Sequence, residues 1–255
     1  MSKNFELMQE VPRNLEVKPV HDTISALPAV GDNGNGFSGT IPDLGTDQLA
    51  QEESLKLVQR VFLQHAEKPP RAVVFAGIDH GNGCSRTCIR VAETLAPSIR
   101  GSICLVDANF RSPSLHRFFG TSNQYGLNES LTQESPIRSF GKELRPGKLW
   151  LFSCGALTTG PSNLMNSDRL KSRLLELRNE FDYILIDAPP LIRYADAFAL
   201  GELTDGIVLI LEANSTRRES ALKVTENLRA SNISVLGVVL NRRTFPIPAS
   251  LYHRL

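Results

Sequence analysis

The sequence predicts an α/β fold in which helices flank a doubly wound, mostly parallel β-sheet. Two observations favour this class. Short apolar runs rich in Val, Ile and Leu recur along the chain, and helical segments separate most of them. The runs show little alternation of polar and apolar residues, which is typical of strands buried on both faces of a parallel sheet. In folds of this class, ligands bind beyond the carboxyl ends of the strands.

The apolar runs begin after residue 70 and define six predicted strands. In chain order they are RAVVFAGI (71–78), GSICLVDAN (101–109), LWLFSCG (149–155), DYILIDAPP (182–190), GIVLILEAN (206–214) and ISVLGVVLNR (233–242). The predicted helices span residues 85–95, 162–181, 196–203 and 217–230.

The residues before and after these runs divide the chain further. Residues 1–45 are predicted to form a flexible tail, because their glycine-rich second half shows no apolar period. A domain is expected over 69–245, and a second short tail over 246–255. The amino terminus lacks the apolar core of a secretory signal, and no apolar run could span a bilayer.

Residues 46–68 predict a helix that either packs on the domain or joins copies of the chain. Thr46 or Asp47 could cap its start. Four apolar residues recur at spacings compatible with one helical face: Leu49, Leu55, Val58 and Phe62.

Composition indicates an ordinary soluble globular protein. The chain has 255 residues, of which 41% are hydrophobic and 22% charged. The net charge of +1 argues against a dedicated nucleic-acid binder, which usually carries a basic excess. The four cysteines lie inside regular segments, which favours reduced thiols in a cytoplasmic protein.

The loop HGNGCSR (80–86), after the first predicted strand, resembles a phosphate-binding loop. Small residues let backbone N–H groups face the phosphates, and the following helix start favours anions. Gly81 and Gly83 flank Asn82, and Ser85 stands where a hydroxyl would meet Mg²⁺. Cys84 occupies the lysine position. Glycine is common in strand-to-helix turns, so the loop alone does not establish a phosphate site.

Two apolar strands each end in an aspartate, Asp107 and Asp187, and Arg111 follows the first of them near the switch point of the sheet. Carboxylates at the tips of neighbouring strands can hold Mg²⁺, directly or through water. The alternative is that either carboxylate only caps a loop. The glycine loop upstream favours the nucleotide site.

From about residue 53 to residue 241 the sequence resembles the cytoplasmic bacterial tyrosine kinases of capsule and exopolysaccharide synthesis. These are P-loop NTPases related to MinD and ParA. LVDANFRSPSLHRFFG (105–120) is close to the family's LVDADLRRPSLHRLFG, and IDAPP (186–190) is close to IDTPP. GLNESL (126–131) and GVVLN (237–241) fit two further segments. EESLKLVQR (52–60) weakly resembles the helix that assembles such kinases into rings.

The resemblance implies ATP or ADP with Mg²⁺ as ligands. Ser85 and Asp187 would position the metal. Asp107 would act at the metal or as the base toward a tyrosine hydroxyl, and Arg111 would lie near the phosphates or a partner subunit.

The resemblance also implies an adenine contact and partners. Asn241, with Arg242 beside it, would contact the adenine. The expected partners are copies of the chain itself and a membrane-embedded polysaccharide chain-length (co-polymerase) protein, which could recruit it to the inner face of the membrane.

Three departures from the family bear on the same reaction. Cys84 replaces the Walker A lysine, Asn109 replaces a second acidic residue, and Tyr252 stands alone where the family ends in a tyrosine cluster. A hydrogen bond to a charged group is worth roughly 1.5–3 kcal/mol, so the first loss alone weakens nucleotide binding roughly 10- to 150-fold. Loss of one hydrogen-bond donor to the charge that develops in the transition state lowers the rate by a further factor on the order of 10²–10³. These losses favour a regulatory homologue over an efficient kinase.

Other interpretations remain open. Arg86, two residues after Cys84, or a neighbouring subunit could supply the charge of an active autokinase, and a ParA- or MinD-like positioning ATPase is a third possibility. CSRTCIR (84–90) has the Cys-x₅-Arg spacing of a tyrosine phosphatase loop. Cys84 and Cys88, with His80 nearby, could form a metal or redox pair.

Overall fold

In a computed structural model, the residues described are 48–64, 69–156 and 168–242. Seven strands within these ranges form one sheet in the order β3-β4-β2-β5-β1-β6-β7. The strands are β1 Ala72–Gly77, β2 Ile103–Asp107, β3 Lys142–Arg145, β4 Leu149–Phe152, β5 Tyr183–Ala188, β6 Gly206–Glu212 and β7 Val235–Asn241. Every neighbouring pair is parallel except β3–β4.

Helices connect these strands. They are α1 Gln48–Val58, α2 Cys84–Ser98, α3 Leu115–Phe118, α4 Leu127–Thr132, α5 Asp168–Glu180, α6 Asp196–Glu202 and α7 Arg218–Ala230. A wider π turn, Gln59–Leu63, extends α1, and a 3₁₀ turn, Ile137–Phe140, precedes β3.

Two apolar layers cover the two faces of the sheet, because successive strand residues point to opposite faces. On β1, Val73 and Phe75 join the layer under α1 and α2. Val74 and Ala76 join the layer under α4 to α7. The chain therefore has the three-layer, doubly wound architecture that the apolar runs predict.

The helix α1 packs on the domain. Leu57 and Val58, with Val61 and Phe62 from the π turn, are buried in the same layer as α2. The ring of Phe62 meets Tyr183 edge-on, with ring centroids 5.8 Å apart. Leu55, which the spacing had grouped with Val58 and Phe62, lies off this face and is 42% exposed.

The predicted strands are all present, but each is shorter than its apolar run. Sequence reasoning missed β3, whose residues KELR are polar and mostly exposed. This strand forms a hairpin with β4 at the sheet edge, and Gly147 in the turn has a φ of +65°. The tails at 1–45 and 246–255, and the predicted start of the helix at 162–167, lie outside the described residues. Among the residues described, no helix is long and apolar enough to cross a membrane.

Candidate functional site

The carboxyl ends of the parallel strands bring the predicted site residues to one edge of the sheet. The glycine loop follows β1, and α2 begins directly after it at Cys84. Asp107 at the end of β2 and Asp187 in β5 are register partners in neighbouring strands. Asn241 ends β7, two strands away from β1. The topology thus places the loop, the two carboxylates and Asn241 together.

The two glycines of the loop both adopt the left-handed conformation that disfavours other residues, with φ of +81°. A Cβ atom at Gly81 would meet nothing within 4 Å, so the loop is open on that side. A Cβ atom at Gly83 would lie 2.2 Å from Nδ2 of Asn241. The loop therefore packs against β7 at Gly83 and is open at Gly81.

Asn82, between these glycines, is buried and fixes the shape of the loop. Its Oδ1 accepts the backbone N–H of Asp79 at 2.7 Å, and its Nδ2 donates to Glu212 at 3.3 Å. Its carbonyl oxygen accepts Nδ2 of Asn241 at 2.8 Å. The ends of β6 and β7 thus brace the loop through side chains.

The segment after β5 braces the loop from its other side. The backbone N–H of Leu191 donates to the carbonyl of Gly77 at 3.0 Å. Nε of Arg193 donates to Oδ1 of Asp79 at 2.9 Å. Sequence reasoning missed Asp79, Arg193 and Glu212. The only indications in the sequence are that Asp79 directly precedes the loop and that Arg193 follows the IDAPP segment by three residues.

Asp187 is buried without ordinary partners. Neither carboxylate oxygen has a hydrogen bond of good geometry from the described residues. Burial, followed by the charge of Asp107, raises the pKa of Asp187 to about 7, and donors on Ser85 and Cys84 oppose the rise.

A buried, unpartnered carboxylate beside a hydroxyl fits a hydrated Mg²⁺ ion, which prefers oxygen ligands and keeps several waters. The structure offers Asp187 and Ser85 for this purpose. No group of three His, Cys, Asp or Glu side chains that could hold a metal occurs in the described ranges. An ion here would therefore rely on water or ligand oxygens for the rest of its coordination.

Asp107 differs from Asp187 because its carboxylate is hydrogen-bonded to the backbone. It accepts N–H groups from Asn109 at 3.2 Å, Ser114 at 2.9 Å and Leu115 at 3.0 Å. Burial raises the pKa of Asp107 to about 6, and these three bonds oppose the rise. Its geometry is that of a loop cap, which was the alternative interpretation of a strand-terminal aspartate. The assignment of Asp107 to the metal or to base catalysis stays a prediction.

Cys84 is the first residue of α2. The residue is partly exposed, but its thiol lies inward beside Asp187, and burial followed by the negative charge of Asp187 raises the pKa of the thiol well above its usual value. A phosphatase cysteine needs the opposite shift and a loop up to its arginine, yet residues 84–98 are helical. The structure therefore argues against the phosphatase interpretation. Cys88 is buried and unpaired, as a small apolar core residue would be.

The predicted cations are held in different ways. Arg111 pairs with Asp196 at 3.1 Å and stacks over Tyr194 at 4.7 Å. Arg242 pairs with Glu212 at 3.0 Å. Nε of Arg86 is buried and has no hydrogen-bond partner among the residues described. No lysine lies in the loop.

Comparison of sequences finds bacterial tyrosine kinases. The tyrosine-protein kinase YwqD of Bacillus subtilis (strain 168) is 27% identical over 193 residues, which are 76% of this chain and 81% of that protein. The tyrosine-protein kinase CpsD of Streptococcus agalactiae is 26% identical over 184 residues, which are 72% of this chain and 80% of that protein. No protein-family model matches the chain.

Comparison of structures finds chains of similar fold. The chimerical protein CapA2B2 has a TM-score of 0.73 and 21% identity, over 80% of this chain and 88% of that one. The BceF tyrosine kinase domain has a TM-score of 0.66 and 26% identity, over 78% of this chain and 80% of that one. A ParA family ATPase from Chlorobium tepidum TLS has a TM-score of 0.58 and 16% identity, over 68% of this chain and 74% of that one.

Proposed function

We propose that this chain, which is homologous to the bacterial tyrosine kinases and shares their P-loop NTPase fold, is a kinase-like regulatory protein of capsule or exopolysaccharide production. Its site would take ATP or ADP with Mg²⁺ weakly and transfer phosphate slowly or not at all. The observation that carries this proposal is the neutral thiol of Cys84, which lies beside Asp187 where the family places a lysine.

The surroundings of Asp187 support impaired chemistry. A lysine at position 84 would set an ammonium group against the carboxylate and lower its pKa. The thiol leaves that carboxylate with a pKa of about 7 and adds no positive charge for a phosphate. The donors and charges that stabilise a transferring phosphoryl group supply most of the catalysis in this class, so their loss affects the rate directly.

The remaining groups would still bind a nucleotide. The first turn of α2 follows the loop directly and has no side-chain cap at Gly83, and such a helix start favours an anion. Asp187 and Ser85 would hold Mg²⁺, which neutralises charge on the phosphate oxygens when it is bound. Asn241 already bonds the loop through Asn82, so an adenine contact at this residue would be coupled to the loop's shape.

The proposal extends to partners and location by analogy with the family. The chain would work at the inner face of the membrane, recruited by a membrane-embedded chain-length protein, and would associate with copies of itself. A solved relative is a chimera named CapA2B2, which agrees with a kinase that joins another polypeptide.

Calorimetric titration with ATP in the presence of Mg²⁺ tests the proposal. Wild-type protein is expected to bind weakly. Cys84→Lys is expected to bind roughly 10- to 150-fold more tightly, because it restores a hydrogen bond to a charged group.

The matched control is Asp187→Ala, which removes the carboxylate proposed for the metal. Micromolar binding by the wild type that disappears in Asp187→Ala would show a working site and contradict the regulatory assignment. An unchanged affinity in Cys84→Lys would also contradict it.

A further inference from the structure

Two segments run side by side at the candidate site. The backbone N–H groups of Leu191 and Ile192 donate to the carbonyls of Gly77 and Ile78, at 3.0 and 3.2 Å. These bonds hold the chain after β5 against the start of the phosphate loop. The next residue of each segment, Arg193 and Asp79, is joined through side chains at 2.9 Å.

Asp79 places a negative charge directly before the loop at 80–86, whose proposed ligand is itself negative. Its Oδ1 accepts both the backbone N–H of His80, at 2.7 Å, and Nε of Arg193. These two bonds lower the pKa of Asp79, in that order of importance, so the carboxylate stays ionised at neutral pH. Without a cation beside it, this carboxylate would repel a phosphate.

Arg193 has hydrogen-bond donors that its bond to Asp79 does not use. Only its Nε is engaged, and no hydrogen bond links its two terminal nitrogens to any of the described residues. Its side chain is 58% exposed, so solvent reaches the guanidinium. Because a guanidinium presents five donors in a planar fork, it can hold a carboxylate with one edge and a phosphate with another.

The other arginines near the site are placed differently. Arg111 pairs with Asp196 on α6, and Arg242 pairs with Glu212 at the end of β6. Arg86 belongs to the first turn of α2, where its Nε is buried. Arg193 is instead bonded to Asp79, the residue directly before the loop, and both side chains are about half exposed.

We infer that Arg193, oriented by Asp79, is the phosphate-binding cation that stands in for the lysine missing at Cys84. This inference rests on the proposed nucleotide site and deepens it. The ligand it recognises is the polyphosphate of a nucleotide. Arg193 positions the phosphates and neutralises their charge during binding, without a covalent step.

The test is calorimetric titration of the full chain with ATP and Mg²⁺. Arg193→Gln is expected to bind ATP about tenfold more weakly than wild type, because one charge-assisted hydrogen bond is lost. Arg145→Gln is the matched control. Arg145 is a similarly exposed arginine, 51% for its side chain, paired with Glu93 at the far edge of the sheet. Its replacement is expected to leave the affinity unchanged.

Asp79→Asn separates direct binding from simple neutralisation of the carboxylate. If Arg193 donates to the phosphate, Arg193→Gln still weakens binding several-fold when Asp79→Asn is already present. If Arg193→Gln does not change the ATP affinity when Asp79→Asn is already present, Arg193 only neutralises Asp79, and the inference is overturned. Equal affinities of Arg193→Gln and wild type overturn it as well.

Cys84→Lys distinguishes this inference from the proposed function. With a lysine present, Arg193→Gln should cost less than it does in wild type. Binding by Cys84→Lys alone, with none by wild type or Asp79→Asn, would overturn the inference and leave the proposed function standing. Micromolar binding by wild type that is lost in Arg193→Gln would support the inference and contradict the proposed function.

Discussion

At the scale of single residues, two aspartates with the same sequence context have different surroundings. Asp107 ends β2, Asp187 is the second-last residue of β5, and the two lie side by side in the sheet. Asp107 is surrounded by backbone N–H donors because the chain after β2 folds back over it, whereas Asp187 has none. The sequence could predict both carboxylates but could not separate their roles, since the difference depends on how residues 108–115 return.

The raised pKa of Asp187 predicts a pH-dependent stability in the absence of metal and nucleotide. Its pKa is 3.8 in the ordinary case and about 7 here, so over that window the folded state holds a proton that the unfolded chain has released. The free energy of unfolding therefore falls as pH rises from about 4 to about 7. Urea unfolding at pH 5 and pH 7.5 should show a loss about 1–3 kcal/mol smaller in Asp187→Asn than in wild type.

The control is the same substitution at Asp168, whose side chain is 99% exposed and pairs with Lys171 one turn along. Asp168→Asn should follow the wild-type pH dependence. An Asp187→Asn protein that loses as much stability as wild type between the two pH values would show that this carboxylate is not the one that titrates.

At the scale of elements, the phosphate loop is a short segment held on two sides. The segment after β5 bonds its backbone, and Asn241 and Glu212 hold Asn82. Gly81 and Gly83 share the left-handed conformation but not the surroundings, since only Gly83 touches Asn241. The energetic cost of backbone strain can therefore be measured at Gly81, and the added cost of steric overlap at Gly83.

Substitution of each glycine by alanine measures these two effects. Gly81→Ala should destabilise the protein by about 1–2 kcal/mol through backbone strain alone. Gly83→Ala should cost about 1–3 kcal/mol more, because its Cβ overlaps the side chain of Asn241. Urea unfolding of both variants checks the difference, and Asn241→Ala combined with Gly83→Ala should reduce it. Equal costs for the two glycines would contradict the contact between the loop and β7.

The apolar runs and their spacing were enough to predict most elements. Strands such as β1 and β5 are almost entirely apolar, so their sequences show them whatever strands they pair with. The edge strand β3 is polar and is held by pairing with β4, which local residues do not reveal. The exposure of Leu55 depends on how α1 packs against the sheet. The bond from Arg193 to Asp79 depends on the contact between the segments that follow β5 and β1. Local residues reveal neither.

At the scale of the whole molecule, the chain has the fold of its tyrosine-kinase homologues, and a neutral thiol lies beside the buried carboxylate at its candidate site. The fold was predictable because its apolar runs are continuous in sequence, and the positions of Asp107 and Asp187 were predictable because each lies at or near the end of such a run. The effect of Cys84 on the charge of the site was harder to predict from the sequence. It depends on the inward position of the thiol and on the unpartnered carboxylate of Asp187 beside it. We infer that a neutral Cys84 leaves a kinase fold with little or no kinase chemistry.

Transfer of labelled phosphate tests that claim most directly. The full chain is incubated with Mg²⁺ and ATP labelled at the γ-phosphate, with a tyrosine-containing polymer as acceptor, and phosphotyrosine is quantified on the polymer and on the chain itself. We expect wild type to form no more phosphotyrosine than Asp187→Ala under the same conditions. Phosphotyrosine formation by wild type that is lost in Asp187→Ala would contradict the claim and identify the chain as an active kinase despite Cys84.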